Sequence, residues 1–510
     1  MLSKVKSFAL VGLTGYPVEI EVDINAGVPA IDMVGMPDVS VKEAKDRVKS
    51  AIANSGLLYP IKRITVNFAP ADLKKEGTLF DLPLAVSILC ASQQLPPTPL
   101  DEYVLIGELS LDGTLRRING MTPLLISGMQ AGYKKFIIPK GNAVEASFAS
   151  GAEVYAADNL LSVVNFLSGA GDLEKVEHRE YNPTAAKGIY GFDFADVHGQ
   201  AVAKRALEIA VAGGHNVLMI GPPGAGKTML AKCVLSIMPD MTFDEAVEVT
   251  KIHSVAGLLD AEKGIVTVRP FRSPHHSVTV PSLVGGDRKA KPGEVSLAHL
   301  GVLFLDEVPE YNRRALEALR QPMEDGVVTV SRIAQTVEYP ANFMLIGSMN
   351  PCPCGNYGSK TTPCTCTPVQ IHNYINRLSG PLLDRIDIQV EVDNITYGEF
   401  SAARPAENSA AIRERVVRVR ELQRERYKNL PMLTNSEMSN REIKKYCALD
   451  KECEGLLELA FHKLGLSARA SYRILRVART IADIEGSADI KVNHLSEAIQ
   501  YRSLDRKYWS

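Results

Sequence analysis

The segment Gly221-Pro222-Pro223-Gly224-Ala225-Gly226-Lys227-Thr228 has the spacing G-x-x-x-x-G-K-T. In such a loop the glycines let the backbone curl around phosphate groups with its amides pointing inward. It is preceded by the short apolar run Asn216 to Ile220 and followed by a helical pattern from Met229 to Met238. The order strand, loop, helix seats an anion at the helix N-terminus. Residues Gly221 through Met229 are therefore the expected nucleotide-binding set. Within it Lys227 is expected to reach the β- and γ-phosphates, and the Thr228 hydroxyl to ligate Mg²⁺. Downstream, the apolar run Val302-Leu303-Phe304-Leu305 ends in Asp306-Glu307. A buried strand there would deliver Asp306 to the same metal ion and Glu307 to an attacking water. A third apolar strand, Phe343 to Ser348, ends in Met349-Asn350, and Asn350 at its tip is expected to help hold that water. The implied chemistry is binding and hydrolysis of a nucleoside triphosphate with Mg²⁺.

Two arginine clusters belong with this set. In Leu382-Leu383-Asp384-Arg385-Ile386-Asp387 an arginine stands between carboxylates. Its bland reading is a surface ion pair of little worth; its sharper reading is a finger offered to the γ-phosphate of a neighbouring subunit. Arg469 and Arg473 are four apart on one helix face, and Arg469, nearer the helix start, is expected to reach the γ-phosphate from a helical lid. Cys352, Cys354, Cys364 and Cys366 follow Asn350 as a C-x-C…C-x-C set in a loop rich in Gly, Pro and Thr. Four such thiols suit a tetrahedral Zn²⁺ that would stiffen a subunit-facing loop; the alternative is a reduced or redox-sensitive loop. His275-His276 are expected to face opposite ways on a strand, as structural or pore residues rather than metal ligands.

The elements that must position these groups follow from periodicity. Residues 1–170 read as one α/β domain. It has strands at Val18 to Asp23, Ile64 to Phe68 and Phe136 to Pro139, and an apolar helix at Leu82 to Ala91. A second helix, Val41 to Ser55, has Ala44, Val48, Ala51 and Ile52 on one side and stops at Gly56. Residues 171–190 are polar, contain Pro183 and read as a linker. Residues 191–390 hold the nucleotide core, 391–435 a charged connecting helix, and 436–510 a helical lid. The 510 residues fit two to four domains. A net charge of −2 gives no global basicity, so any nucleic-acid surface is local. Eight cysteines are too few for a secreted disulfide scaffold. With no secretory signal and no apolar segment long enough to span a bilayer, the cytoplasm is the expected compartment and no membrane partner is expected.

At this point residues 191–510 resemble an AAA+ ATPase of the magnesium-chelatase-like branch, the helix-2-insert group that includes the MCM helicases. The carrying stretches are Phe271 to His276, Gly285-Gly286, Pro292 to His299, Gly301 to Glu310 and Leu378 to Asp387. The resemblance implies an insert around Pro270 to Pro292, with Arg272, Arg288, Lys289 and Lys291, pointing into a ring pore. A second hairpin, Val327 to Tyr339 with Arg332, would lie on the same side. Residues 1–170 resemble the Lon-protease-like domain, which has the fold of the second domain of ribosomal protein S5. Leu84 stands where the protease serine is expected and Thr122 where its lysine is, so neither nucleophile nor amine base is present. The positions Lys42, Lys45, Arg47, Lys49, Lys62, Arg63, Lys74 and Lys75 offer this domain either a phosphate-facing surface or a solvated helix face. The combination resembles the ComM/YifB family. That resemblance implies a homo-hexameric ring and ATP-driven branch migration of recombining DNA, branched or single-stranded, as in natural transformation. The core motifs alone also permit a chelatase motor subunit, and a third reading is a protein-remodelling ATPase.

Overall fold

A computed structural model describes residues 2–96, 100–183, 191–286, 290–331, 336–358, 362–394, 407–430 and 432–509, apart from the side chains at 331, 505 and 506. The class is α/β, as expected. Two compact units form: Met1–Asn182 with Thr242–Thr267, and Pro183–Met241 with Val268–Ser510.

The strands of the first unit are β1 (Leu2–Val11), β2 (Thr14–Asn25), β3 (Ala30–Val34), β4 (Arg63–Ala69), β5 (Tyr103–Leu105), β6 (Glu108–Leu109), β7 (Leu115–Arg116), β8 (Lys135–Pro139), β9 (Glu153–Ala157) and β10 (Glu174–Lys175). Eight of them make one sheet in the order β10-β9-β8-β5-β1-β2-β4-β3, and β6 and β7 pair separately. Along β2 the period-two pattern buries Val18, Ile20, Val22 and Ile24, which sets one face of the sheet on the core. The helix Val39–Asn54 starts where the Asp38 carboxylate accepts Val41 N at 2.8 Å, and it buries Val41, Ala44, Val48, Ala51 and Ile52. Gly56, at φ +75°, takes the left-handed conformation that ends it. The helix Asp81–Ala91 is buried along its whole length, Leu84 included. Its one carboxylate, Asp81, meets Arg47 in a two-pronged ion pair, Nε to Oδ2 at 2.8 Å and Nη2 to Oδ1 at 2.9 Å. Burial still pushes Asp81 up to about 6, against the pull of Arg47.

The boundaries differ from the sequence reading in three places. The expected linker is partly structure, because β10 pairs with β9 inside the first sheet. Residues 242–267, expected within the core 191–390, fold with the first unit. There the helix Phe243–Ala256 is capped by Thr242, whose Oγ1 accepts Glu245 N at 3.2 Å. Ser254 Oγ accepts Gly120 N at 3.0 Å and donates to Glu145, and Leu259 O accepts Arg117 Nη2 at 3.1 Å. Long-range hydrogen bonds of this kind leave no trace in local periodicity. The third difference is the expected separate lid. The helices Ser409–Arg426 and Ala468–Ile484 share one hydrophobic core with the nucleotide machinery, through Ile412, Val416, Ile474 and Ala478.

The second unit is built on β11 (Val217–Ile220), β12 (Phe271–Arg272), β13 (Val302–Leu305), β14 (Val327–Ser331), β15 (Thr336–Pro340), β16 (Met344–Met349) and β17 (Ile388–Glu391). Five of these make an all-parallel sheet in the order β12-β13-β16-β11-β17. β11, β13 and β16 are buried at every position, as parallel strands covered on both faces must be. Their C-terminal ends therefore lie side by side, where open parallel sheets bind ligands. β14 and β15 form a separate antiparallel pair, as expected for Val327 to Tyr339. No helix among the described residues is long and apolar enough to cross a membrane.

Candidate nucleotide site

The loop Gly221–Gly226 leaves β11 and enters the helix Lys227–Ile237. A Cβ on Gly221 would sit 2.1 Å from Val392 O, so no side chain fits there. Gly224 and Gly226 take φ of +79° and +88°, conformations that cost other residues energy. Gly226 is the helix N-cap and no side chain caps it, which leaves the first-turn amides available to an anion. Met229 packs against the core beneath. Lys227 is buried, with Nζ donating to Gly221 O at 2.6 Å, Pro222 O at 2.9 Å and Asn350 Oδ1 at 3.2 Å. Burial lowers its ammonium to about 8, partly offset by the nearby Asp306 and Glu307.

Asp306 and Glu307 follow β13. Asp306 Oδ2 accepts Thr228 Oγ1 at 3.0 Å, Oδ1 accepts Glu307 N at 3.1 Å, and Ser348 Oγ donates to Oδ1 as well. The hydroxyl and carboxylate are hard oxygen donors suited to Mg²⁺, so this pair fits the ion expected there. Ser348 was not foreseen as a site residue. Its signal was available: a hydroxyl two residues before Asn350 on an apolar strand shares Asn350's side of the sheet. Glu307 has φ +53°. For a non-glycine residue this turn costs of order 1–3 kcal/mol, and it carries the carboxylate out of the line of β13. That carboxylate is exposed and makes no hydrogen bond or ion pair among the described residues.

The arginines lie elsewhere. Arg385 and Arg469 line one cavity of about 670 Å³ together with Arg473, Arg476 and Glu324, and no residue of the loop 221–229 lines it. Arg385 is buried, donates to Pro381 O at 2.7 Å and pairs with Glu324; its Nε has no partner. Arg473 is committed to the buried Asp387 at 2.7 Å. Arg469, in the first turn of the helix Ala468–Ile484, is exposed and holds no hydrogen bond or ion pair among the described residues.

Other expected residues resolve differently. Arg272 is not a free basic group: Glu294 takes its Nε at 2.6 Å and its Nη2 at 2.8 Å. Lys291 is exposed beside the bridge Gly285↔Pro292. Arg288, Lys289 and Arg332 lie outside the described residues. His275 and His276 are not on a strand. They sit at a turn with ring centroids 3.9 Å apart, because the chain bends after β12. Of the basic positions in the first unit, Arg47 is tied to Asp81, Arg63 to Asp32 and Lys74 to Glu76, and Lys75 is buried against Pro70 O. Lys42, Lys45, Lys49 and Lys62 stay exposed. Thr122, at the expected lysine position, gives its N and Oγ1 to Glu145 Oε1 at 2.9 and 2.8 Å. The four loop cysteines converge, all Sγ atoms lying within 4.8 Å of one another.

Comparison with known proteins fits this geometry. The family described as magnesium chelatase, subunit ChlI, matches residues 193–400. Subunit ChlI of Mg-chelatase matches 20–142, and its C-terminal region matches 406–502. A protein named YifB from Escherichia coli is 45% identical over 99% of this chain and 98% of its own length. Competence protein ComM from Haemophilus influenzae is 45% identical with the same coverage. The chain belongs to the ComM/YifB family. It is thus a magnesium-chelatase-like AAA+ protein, and this family architecture implies ATP and Mg²⁺. By contrast, the magnesium-chelatase 67 kDa subunit of Chlorobaculum parvum is 29% identical over only 31% of this chain and 23% of its own length.

Proposed function

We propose that this chain hydrolyses ATP to drive branch migration of DNA, working in the cytoplasm as a hexameric ring in homologous recombination and natural transformation. The observation that carries the reading is the separation of Arg385 and Arg469 from the phosphate-binding loop. Two arginines clustered in a cavity that no loop residue lines suit a γ-phosphate offered by another copy, and head-to-tail contacts of that kind make a ring where the rotation closes. Each site then takes Lys227, Thr228, Asp306, Glu307 and Asn350 from one copy, and Arg385 with Arg469 from the next.

In this site Glu307 orients a water oxygen towards the γ-phosphorus and accepts its proton. The bond to the β–γ bridging oxygen breaks, and ADP and phosphate leave. Lys227 and the partner's arginines stabilise the spreading charge, so positioning and electrostatics carry the catalysis. Thr228 and Asp306 would hold Mg²⁺, which would neutralise charge on the phosphate oxygens. DNA as the track is supported by the full-length likeness to a protein named for competence. The exposed Lys291 beside the Gly285–Pro292 bridge supports it too.

The test is ATPase rate with and without a synthetic four-way junction, with strand separation followed in the same tube. The expected result is stimulation and ATP-dependent separation, both lost in Lys227→Ala. Turnover indifferent to every DNA form would overturn the reading in favour of a chelatase or protein-remodelling motor.

A further inference from the structure

We propose that Cys352, Cys354, Cys364 and Cys366 hold one structural Zn²⁺, and that this site braces the end of β16 against the phosphate-binding loop. The sulfur positions carry the first part. Cys352 Sγ lies 3.4 Å from Cys354 Sγ and 3.7 Å from Cys364 Sγ, and Cys354 Sγ lies 3.6 Å from Cys364 Sγ. Zinc–sulfur bonds of about 2.3 Å set tetrahedral sulfurs about 3.8 Å apart. The observed spacings are therefore close to the edges of such a tetrahedron. They are well beyond a disulfide bond of about 2.0 Å, and all four cysteines are unpaired. Four soft ligands leave no open position, which marks a structural rather than a catalytic site.

The loop backbone is arranged for thiolates. Tyr357 N donates to Cys352 Sγ at 3.3 Å, and the amides of Asn356 and Thr365 point at Cys354 Sγ. Four thiolates around one Zn²⁺ carry a net double negative charge, and inward N–H dipoles offset it. On loading, four thiols release four protons to solvent as four Zn–S bonds form, and no electron is transferred.

The second part follows from what the loop touches. Cys352 is fully buried two residues beyond Asn350. Gly355, at φ +80°, lies so close to the loop that a Cβ on it would sit 2.4 Å from Pro223 Cδ. Gly221 N donates to Met349 O at 3.1 Å. A metal that closes 352–366 thus fixes both Asn350 and the outer wall of the 221–226 loop. The metal site stands on the sulfur geometry alone. Its link to nucleotide rests on the reading of 221–229 as the nucleotide loop.

The test uses the full chain, purified reduced and without chelator. Elemental analysis should find about one zinc per chain, released fully by four equivalents of a thiol-directed mercurial. Cys364→Ser should retain less than about a tenth of that zinc. Wild-type protein loaded with Co²⁺ provides a second readout that does not depend on the folding of that variant: thiolate-to-metal charge-transfer bands and tetrahedral d–d bands. Zinc-free protein with four reactive thiols, disulfides that open only on reduction, or iron with acid-labile sulfide would each overturn the metal assignment. For the bracing role, zinc removal should weaken binding of a fluorescent ATP analogue about tenfold. Unchanged affinity in zinc-stripped protein overturns that role and leaves the metal result standing. Absence of analogue binding in zinc-loaded protein would instead count against the nucleotide reading itself.

Discussion

Lys227 Nζ donates to Asn350 Oδ1 at 3.2 Å. The lysine at the start of one helix and the amide at the tip of a strand more than a hundred residues later therefore already share a site. The same ammonium is held by two loop carbonyls. Nucleotide must draw it out of that arrangement, and its charge is the part of the site most open to titration.

The first prediction concerns that titration. Without nucleotide the Lys227 ammonium, lowered by burial, loses its proton near 8, below its ordinary 10.5. ATP should therefore bind with proton uptake at about pH 9, and its affinity should fall as pH rises through about 8. The stability sign is the reverse. Between about 8 and 10.5 the unfolded lysine holds more proton than the folded one, so this group makes stability rise with pH across that window. Calorimetry in buffers of different ionisation enthalpy measures the uptake; none at pH 9 removes the charged-lysine role.

Glu307→Gln should keep ATP binding and lose turnover by about 10²–10⁴-fold, the usual share of a positioned base. The amide can occupy the same left-handed turn, so the site stays formed. Single-turnover hydrolysis measures it, and wild-type rates would take Glu307 out of the site.

Arg385→Ala and Arg469→Ala should each leave nucleotide binding to one subunit intact and cut ring turnover by about 10³-fold or more. Arg385→Ala should fold, because its partner Glu324 is largely exposed and remains hydrated. Mixing it with Lys227→Ala subunits joins an intact loop to an intact arginine and should restore measurable activity. Failure of every mixture to recover would count against sharing of the site between copies.

Arg47→Ala strands the fully buried Asp81 carboxylate. A broken buried pair costs about 3–5 kcal/mol, and the first unit should lose about that much in denaturant unfolding. Replacing both residues, Arg47→Ala with Asp81→Leu, should recover most of it. A loss under about 0.5 kcal/mol, the scale of surface pairs, would mean the pair is solvated.

What was legible in the sequence was local. The run Val302–Leu305, the glycine spacing of 221–226 and the helical face of Val41, Ala44, Val48, Ala51 and Ile52 each declare themselves within a few residues. Backbone conformation and burial period act at that range. Asp306 and Glu307 could be read because they end an apolar run. Ser348 was overlooked because its partner, Asp306, is 42 positions away in sequence. Arg272 and Arg47 were read as charge because a carboxylate partner 22 or 34 positions distant is invisible to patterning.

By itself, the sequence determined the chemistry: which groups can cradle phosphate, ligate a hard cation, hold a water or gather a soft metal. It also set the family, since those groups recur at family spacing. The tertiary structure alone decided which of them meet. Parallel pairing of β11, β13 and β16 brings Lys227, Asp306 and Asn350 to one sheet edge, because all three strands must bury both faces. Hydrogen bonds to Gly120 and Glu145 draw residues 242–267 into the first unit. Packing of the helix Ala468–Ile484 sets Arg469 beside Arg385 and away from the loop. These outcomes depend on burial and hydrogen bonding between segments far apart in the chain, and local periodicity records none of them.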